Sequence, residues 1–199
     1  MARLPLNKTS LTRLTGQLRL YEEHLPSLDL KRRQLIQERN SARSTLQTLQ
    51  EQSDTLPHRV AEELPMLAIP RIDLTGLVRV TRVALSEENL VGVRLPVLGE
   101  IHYAVSNYTL MATPHWIEQL VALLKEALSI RISLQIARER LHCLETAVRT
   151  TTQRVNLFER VLIPQTREAI RRIVIALSDA ERAGVVRAKI AKSKREATA

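Results

Sequence analysis

Two aliphatic stripes, each repeating every 3.5 residues on average over about seven heptads, restrict what this chain can fold into. In the first, the inward a and d positions read Leu11, Leu14, Leu18, Tyr21, Leu25, Leu28, Arg32, Leu35, Arg39, Ala42, Leu46, Leu49, Ser53, Leu56 and Val60, twelve of the fifteen apolar. In the second they read Ala127, Ile130, Leu134, Ala137, Leu141, Leu144, Val148, Thr151, Val155, Phe158, Leu162, Gln165, Ala169, Arg172 and Ala176, again twelve of fifteen. Beyond Pro164 the second stripe slides to Ile170, Ile173, Leu177 and Ala180, as an inserted stutter would make it. Helices with such a narrow apolar strip must hide it against another helix, and each strip offers the other a partner.

The breakers say where the chain turns back. Five of the eight prolines (Pro57, Pro65, Pro70, Pro96, Pro114) and three of the five glycines (Gly76, Gly92, Gly99) fall between 57 and 115. The expected fold is therefore mainly α: a long antiparallel two-helix coiled coil with a small β-hairpin element in the middle of the chain. Its parts are an N-terminal arm over 1–60, a turning region or base over 61–115, and a C-terminal arm with a basic tail over 116–199. At 1.5 Å per residue the first arm spans roughly 75 Å and the second roughly 120 Å, so the second overhangs the first. Pro26, with Ser27 as an N-cap, predicts a kink or short break in the first arm. Thr113-Pro114 before Trp116 marks the start of the second. In the base, Val91, Val93, Leu95 and Val97 alternate, and Ile101, Tyr103 and Val105 resume the alternation, which predicts a hairpin with a two-residue turn at Gly99-Glu100. Leu77 to Leu85 is a further candidate strand whose register shifts near Arg82.

Composition narrows the chemistry. Only 3% of the 199 residues are aromatic and 5 are Gly, which disfavours a pocketed catalytic domain. The net charge of +9 is uneven: residues 1–43 hold nine bases and four acids, 44–159 eleven and thirteen, and 160–199 ten and four. Both ends are basic and the middle is not. The single Cys143 permits no intrachain disulfide and fits a reducing compartment. No apolar run has the length of a signal-peptide core or a membrane span, so the chain reads as cytoplasmic, without direct membrane insertion, and any membrane connection passes through partners.

No glycine-rich phosphate cradle of either familiar type occurs, and His24, His58, His102, His115 and His142 are scattered, so no catalytic, cofactor or metal site is expected. Adjacent His142 and Cys143 point about 100° apart on a helix. Arg32, Arg39 and Arg172 on the seams either snorkel or pair with acids on the opposite arm, or else mark a splay point facing another protein of an assembly. The run Arg187, Lys189, Lys192, Lys194 and Arg195 is a solvated tail or a basic tip facing an acidic protein sleeve. Nucleic acid is disfavoured because no aromatics interleave the bases and no binding motif accompanies them.

Specific patches then point to a family. Leu6-Asn7-Lys8-Thr9-Ser10-Leu11, Leu25-Pro26-Ser27-Leu28-Asp29-Leu30-Lys31-Arg32-Arg33-Gln34-Leu35, Glu88-Asn89-Leu90-Val91-Gly92-Val93-Arg94-Leu95-Pro96-Val97, and Arg154-Val155-Asn156-Leu157-Phe158-Glu159 leading to Ile163-Pro164 resemble, in this order, the D subunits of V-type (A/V-type) ATPases in their bacterial form. The resemblance implies a non-catalytic central-stalk rotor component, peripheral to the membrane through its complex, that couples ATP hydrolysis or synthesis to ion translocation. Its implied partners are the catalytic A and non-catalytic B subunits of a hexamer, the F subunit at the hairpin base, and the C subunit leading to the membrane rotor ring. The residues expected to matter are the seam (Leu11, Leu14, Leu18, Leu25, Leu28, Leu35, Leu46, Leu49, Leu134, Leu141, Leu144, Val148, Val155, Phe158, Leu162), the base hairpin (Asn89, Gly92, Val93, Leu95, Pro96, Gly99) and the basic tip (Arg187, Lys189, Lys192, Lys194, Arg195). Gly16 and Pro26 are the expected soft points of the first arm.

The competing reading is a prefoldin-like coiled-coil chaperone, whose arms hold clients at their tips; the basic tips here lack the apolar residues of a client grip. The gamma shaft of an F-type ATPase shares the coiled coil but carries a larger domain between its arms than fifty-five residues allow.

Overall fold

In a computed structural model, which describes residues 5–68, 76–106 and 116–198, the chain is two long helices and one two-stranded antiparallel sheet. Helix α1 runs Lys8–Glu63, strands β1 and β2 run Val78–Leu90 and Val93–Val105, and α2 runs Ile117–Leu157. The C-terminal helix continues through one π turn, Phe158–Leu162, into α3, Ile163–Thr198. The expected helix start at Thr113-Pro114 lies outside the described residues.

Asn7 opens α1, its side-chain Oδ1 accepting the Ser10 N–H at 2.8 Å and satisfying one of the donors that a helix start leaves unpaired. All fifteen a and d positions of the first stripe are buried or half-buried. Helix α1 runs unbroken through Pro26, so the short break is not seen there, and it runs unbroken through Pro57 as well. Ser27 is not an N-cap: its hydroxyl donates to the His24 carbonyl at 2.8 Å. A proline removes one N–H and crowds the carbonyl four residues back, but packing along the whole stripe outweighs that local cost.

The hairpin differs from expectation in one respect. Its turn is Val91-Gly92, not Gly99-Glu100. Both turn residues have positive φ, 51° at Val91 and 80° at Gly92, as a type I′ turn requires, and Asn89 Oδ1 accepts the Gly92 N–H at 2.9 Å. Gly99-Glu100 is an irregularity inside β2: Val83 pairs with Ile101 and Leu85 with Leu98, so two residues face the single Ala84. Glycine fits there because a Cβ on Gly99 would lie 3.0 Å from the Ala84 carbonyl oxygen. A second shift, between Val80 and Arg82, falls where the sequence placed one, and β1 extends the Leu77–Leu85 segment as far as Leu90. Ser106 closes the base of the hairpin, donating from its backbone N–H to Leu77 at 2.9 Å and from its hydroxyl to Gly76 at 2.7 Å.

The chain divides into two compact units. The hairpin unit is residues 33–149, and the terminal unit combines 1–32 with 150–199. In the hairpin unit α1 and α2 run antiparallel, since Arg59 meets Glu126 while Glu63, further along, meets Gln119. Leu35, Leu95 and Leu144 are fully buried and pack with Val148, so β2 inserts its Leu95 directly into the seam between the helices. At the loop end of this unit Leu64, Leu120 and Leu123 form a second cluster with Val60, Leu77 and Trp116. In the terminal unit Ser10, Leu14, Thr151, Val155, Ile163, Thr166 and Ile173 are buried, and the Tyr21 and Phe158 rings meet edge to face with centroids 5.4 Å apart.

The slide of the second stripe has a local cause. From Val155, Phe158 and Leu162 the inward line passes to Thr166, Ile170, Ile173 and Leu177, one residue more than a regular heptad count allows, with Ile163, Ala169 and Ala176 buried or half-buried beside it. The π turn absorbs that residue, with the Ile163 N–H reaching back five positions to the Phe158 carbonyl. The shift is thus a single skipped residue taken up in one turn, in place of the expected stutter. Thr166 and Ile173 face inward, and Gln165 and Arg172 are exposed.

Candidate functional site: the interaction surfaces of the helix pair

Among the described residues no group of three or more His, Cys, Asp or Glu side chains is placed to hold a metal ion, and no helix is long and apolar enough to cross a membrane. The candidate site is a set of surfaces, built from the seam outward.

Of the seam residues singled out from sequence, Leu14, Leu35, Leu134, Leu144, Val148 and Val155 are buried, and Leu11, Leu18, Leu25, Leu28, Leu46, Leu49, Leu141, Phe158 and Leu162 are half-buried. The polar seam residues find partners on their own helix: Arg32 contacts Asp29 at 2.5 Å, Arg172 pairs with Glu168, and Arg39 donates from Nη2 to Asn40 at 2.9 Å. Bridges between helices come from residues that the stripes do not include. In the hairpin unit Arg59 donates twice to Glu126, at 3.0 and 2.7 Å, and Gln119 donates to Glu63 at 3.2 Å. The Arg59 hydrogen bond holds the Glu126 carboxyl below the usual carboxylate range, and the same bond raises the Arg59 guanidinium. In the terminal unit Arg167 donates to Glu22 at 2.7 Å. Heptad counting finds residues that face the seam but not their register across it, so these pairs left no signal in the sequence.

The hairpin packs on the helices around Leu95. Leu95 is fully buried, Val93 and Pro96 are half-buried, and Asn89, Gly92 and Gly99 are exposed at the turn and the irregularity. Arg140 of α2 ties the ribbon down by donating to Glu88 at 2.9 Å. Beside this anchor, Val83, Leu85 and Pro96 of the hairpin and Ile132 and Ile136 of α2 line an open apolar groove of about 420 Å³ whose rim carries Glu139. Leu85 is 63% exposed and adjoins this groove. The parity of the strand singles out Leu85 only once the turn is placed at Val91-Gly92.

At the other end of the sequence, Arg187, Lys189, Lys192, Lys194 and Arg195 are all exposed on α3, Lys192 lying 3.8 Å from Glu196. At 100° per residue they and Arg182 cover about two thirds of the helix circumference, and the remaining sector carries Val186 and Ile190 among alanines. Val185, Val186 and Ile190 are more than half exposed among them. The charge is partitioned completely between the units: the terminal unit holds seventeen Lys and Arg against eight Asp and Glu, and the hairpin unit thirteen against thirteen, so all of the net +9 belongs to the terminal unit.

The family model for the D subunit of ATP synthase matches residues 10–193. The chain is similar to the D subunit of the V-type ATP synthase of Borreliella burgdorferi, 30% identical over 193 residues that cover 97% of this chain and 95% of the relative. Against the protein of the same name from Chlamydia muridarum it is 35% identical, covering 97% and 96% of the two chains, and against that from Chlamydia felis 34% identical, covering 95% and 88%. A match that takes in both helices and the hairpin, in bacterial relatives of nearly the same length, makes this chain a member of the ATP synthase D-subunit family.

Proposed function

We propose that this chain is the central-stalk rotor of a V/A-type rotary ATPase, a non-catalytic part that turns inside a hexamer of A and B subunits and links ATP hydrolysis or synthesis to ion movement. The observation that carries the reading is the complete partition of charge within a full-length family match. A terminal unit that holds the whole net positive charge suits insertion into a surrounding, partly acidic bore. Long-range attraction of that kind guides association without selecting one angular position. The neutral hairpin unit, with its apolar groove, suits a partner docked by packing. In this reading that partner is the F subunit, and the C subunit lies between the base and the membrane ring.

The coupling follows from the asymmetry of a helix pair. A shaft with unequal sides presents a different face to each catalytic interface as it turns, and differential contact energy biases each interface toward a different state. The chain itself needs no ATP site for this. It works at the membrane periphery, on the cytoplasmic side.

Coexpression with the A, B and F subunits and a pull-down through this chain tests the assignment: all three are expected to copurify. Copurification of unfolded clients in their place would support the chaperone reading. Two variants divide the surfaces. Leu85→Asp should release F and leave A and B bound, while neutralising Lys189, Lys192, Lys194 and Arg195 together should weaken assembly with A and B and flatten its salt dependence. Assembly that is unchanged and insensitive to salt in the second variant would discard the electrostatic part.

A further inference from the structure

The terminal unit contains two interruptions of helical hydrogen bonding, and they face each other. In α1, Pro26 has no N–H to give to the Glu22 carbonyl. In the C-terminal helix, Pro164 has none to give to the Arg160 carbonyl, and the turn just before it is the π turn Phe158–Leu162. Proline and the π turn are two common origins of bending in a helix. The interrupted turns lie at one level because their own side chains are in contact: Tyr21 packs edge to face on Phe158, and Glu22 accepts from Arg167 at 2.7 Å.

The sequence also holds the π turn in place by two separate means. Pro164 cannot continue the α ladder from its own position. Removing the extra residue from the helical count without removing it from the sequence would bring the exposed Gln165 and Arg172 to the seam and expel Thr166, Ile170 and Ile173. Ile173 is fully buried and Thr166 is 9% exposed, so that exchange would bury a charge and expose an isoleucine. Glu159 and Arg160 are exposed, so their carbonyls can be hydrated with the ladder interrupted.

We propose that the paired turns at 22–26 and 158–164 form a built-in flexure of the terminal unit, where both helices yield together in bending and twist while the Tyr21–Phe158 and Glu22–Arg167 contacts keep them in register. Its use as an elastic element between rotary steps rests on the rotor reading; the flexure itself does not.

Hydrogen exchange by mass spectrometry on the full chain tests it. Amides in 158–166 are expected to exchange about tenfold or more faster than those of the uninterrupted stretch 134–149. A double change, Pro164→Ala with deletion of Gln165, restores both the N–H and the heptad count, and should bring the two stretches to within about threefold of each other. Because that variant alters chain length, Pro26→Ala supplies an independent arm: it returns one N–H to α1 and should slow exchange over 22–30 and, through the paired contacts, over 158–164. Equal exchange of 158–166 and 134–149 in the natural chain would overturn the proposal. So would a Pro26→Ala chain that exchanges like the natural one in both segments. Neither outcome depends on whether A, B and F copurify, so failure of the rotor reading would be seen separately in the pull-down.

Discussion

The hairpin unit and the terminal unit are cut from the same two leucine stripes, yet they are finished differently. In the first, a third element covers the helix pair, and the side chains at the junction, Leu35, Leu95 and Leu144, lose all contact with water. In the second the described residues form two helices alone; small or polar Ser10, Thr151 and Thr166 share the buried set, and Val174, Ile175, Val185, Val186 and Ile190 remain substantially exposed. Two helices alone bury a single strip, whereas three elements enclose a volume. The hairpin unit therefore supplies its own core, and separately its bases and acids balance. The terminal unit leaves both charge and apolar area facing outward, as expected of a part finished by its surroundings.

The sharpest way to break this contrast is to open both cores and compare the costs. Leu95→Ala should destabilise the chain by about 4 kcal/mol in a denaturant titration, because the cavity is enclosed on three sides and cannot collapse. Ile173→Ala, at an equally buried residue, should cost less, about 2 kcal/mol, because a two-helix seam can close over the loss. Equal costs would remove the distinction between the units. A change in the opposite direction tests the hairpin turn: Val91→Asn relieves a β-branched residue at φ 51° and completes an Asn-Gly pair, so thermal stability should rise by the equivalent of about 1 kcal/mol.

Acid titration examines the bridge between the helices of the hairpin unit. The Arg59 hydrogen bond lowers the folded-state pKa of Glu126, so its contribution is fully present above the ordinary glutamate value and is lost as pH falls through the depressed one. The stability difference between the natural chain and Glu126→Gln should accordingly shrink on acidification from neutral pH; a difference that grew would contradict a lowered pKa. The smallest expected effect is on the other unit. Neutralising Lys189, Lys192, Lys194 and Arg195, all exposed on α3, should change the stability of the chain alone by no more than about 0.5 kcal/mol in the same titration. Stability left unchanged in this way would separate their role in assembly from any role in folding.

The contrast also explains which features can be read in advance. A heptad position is a local property, so Leu35, Leu144 and Val155 declare their facing through spacing alone, and their burial follows. The alternation of Val93, Leu95 and Val97 likewise marks the strand. The turn escapes such a reading because Gly99-Glu100 has the appearance of a two-residue loop, while the actual turn puts a β-branched valine where its own propensity argues against it. Neither Pro26 nor Pro57 interrupts α1, because their local penalties are small beside the packing of a 56-residue helix. The π turn is visible as a sliding stripe. How the slide is absorbed, gradually or within one turn, depends on the partner helix. The bridges Arg59–Glu126, Arg140–Glu88 and Arg167–Glu22 join residues 52 to 145 positions apart, and no periodicity connects them.

The sequence by itself determined that two long helices must share an aliphatic seam, that a small extended segment separates them, and that the basic charge lies toward the two ends, because each is set by the order of residues along one element. Only the tertiary structure decided that Leu95 closes the core of the hairpin unit, that both basic ends belong to one compact unit holding the whole net charge, and that two interrupted turns face one another across its seam. Those outcomes depend on register between distant segments, and register is fixed by the packing of one surface against another, which no stretch of sequence contains alone.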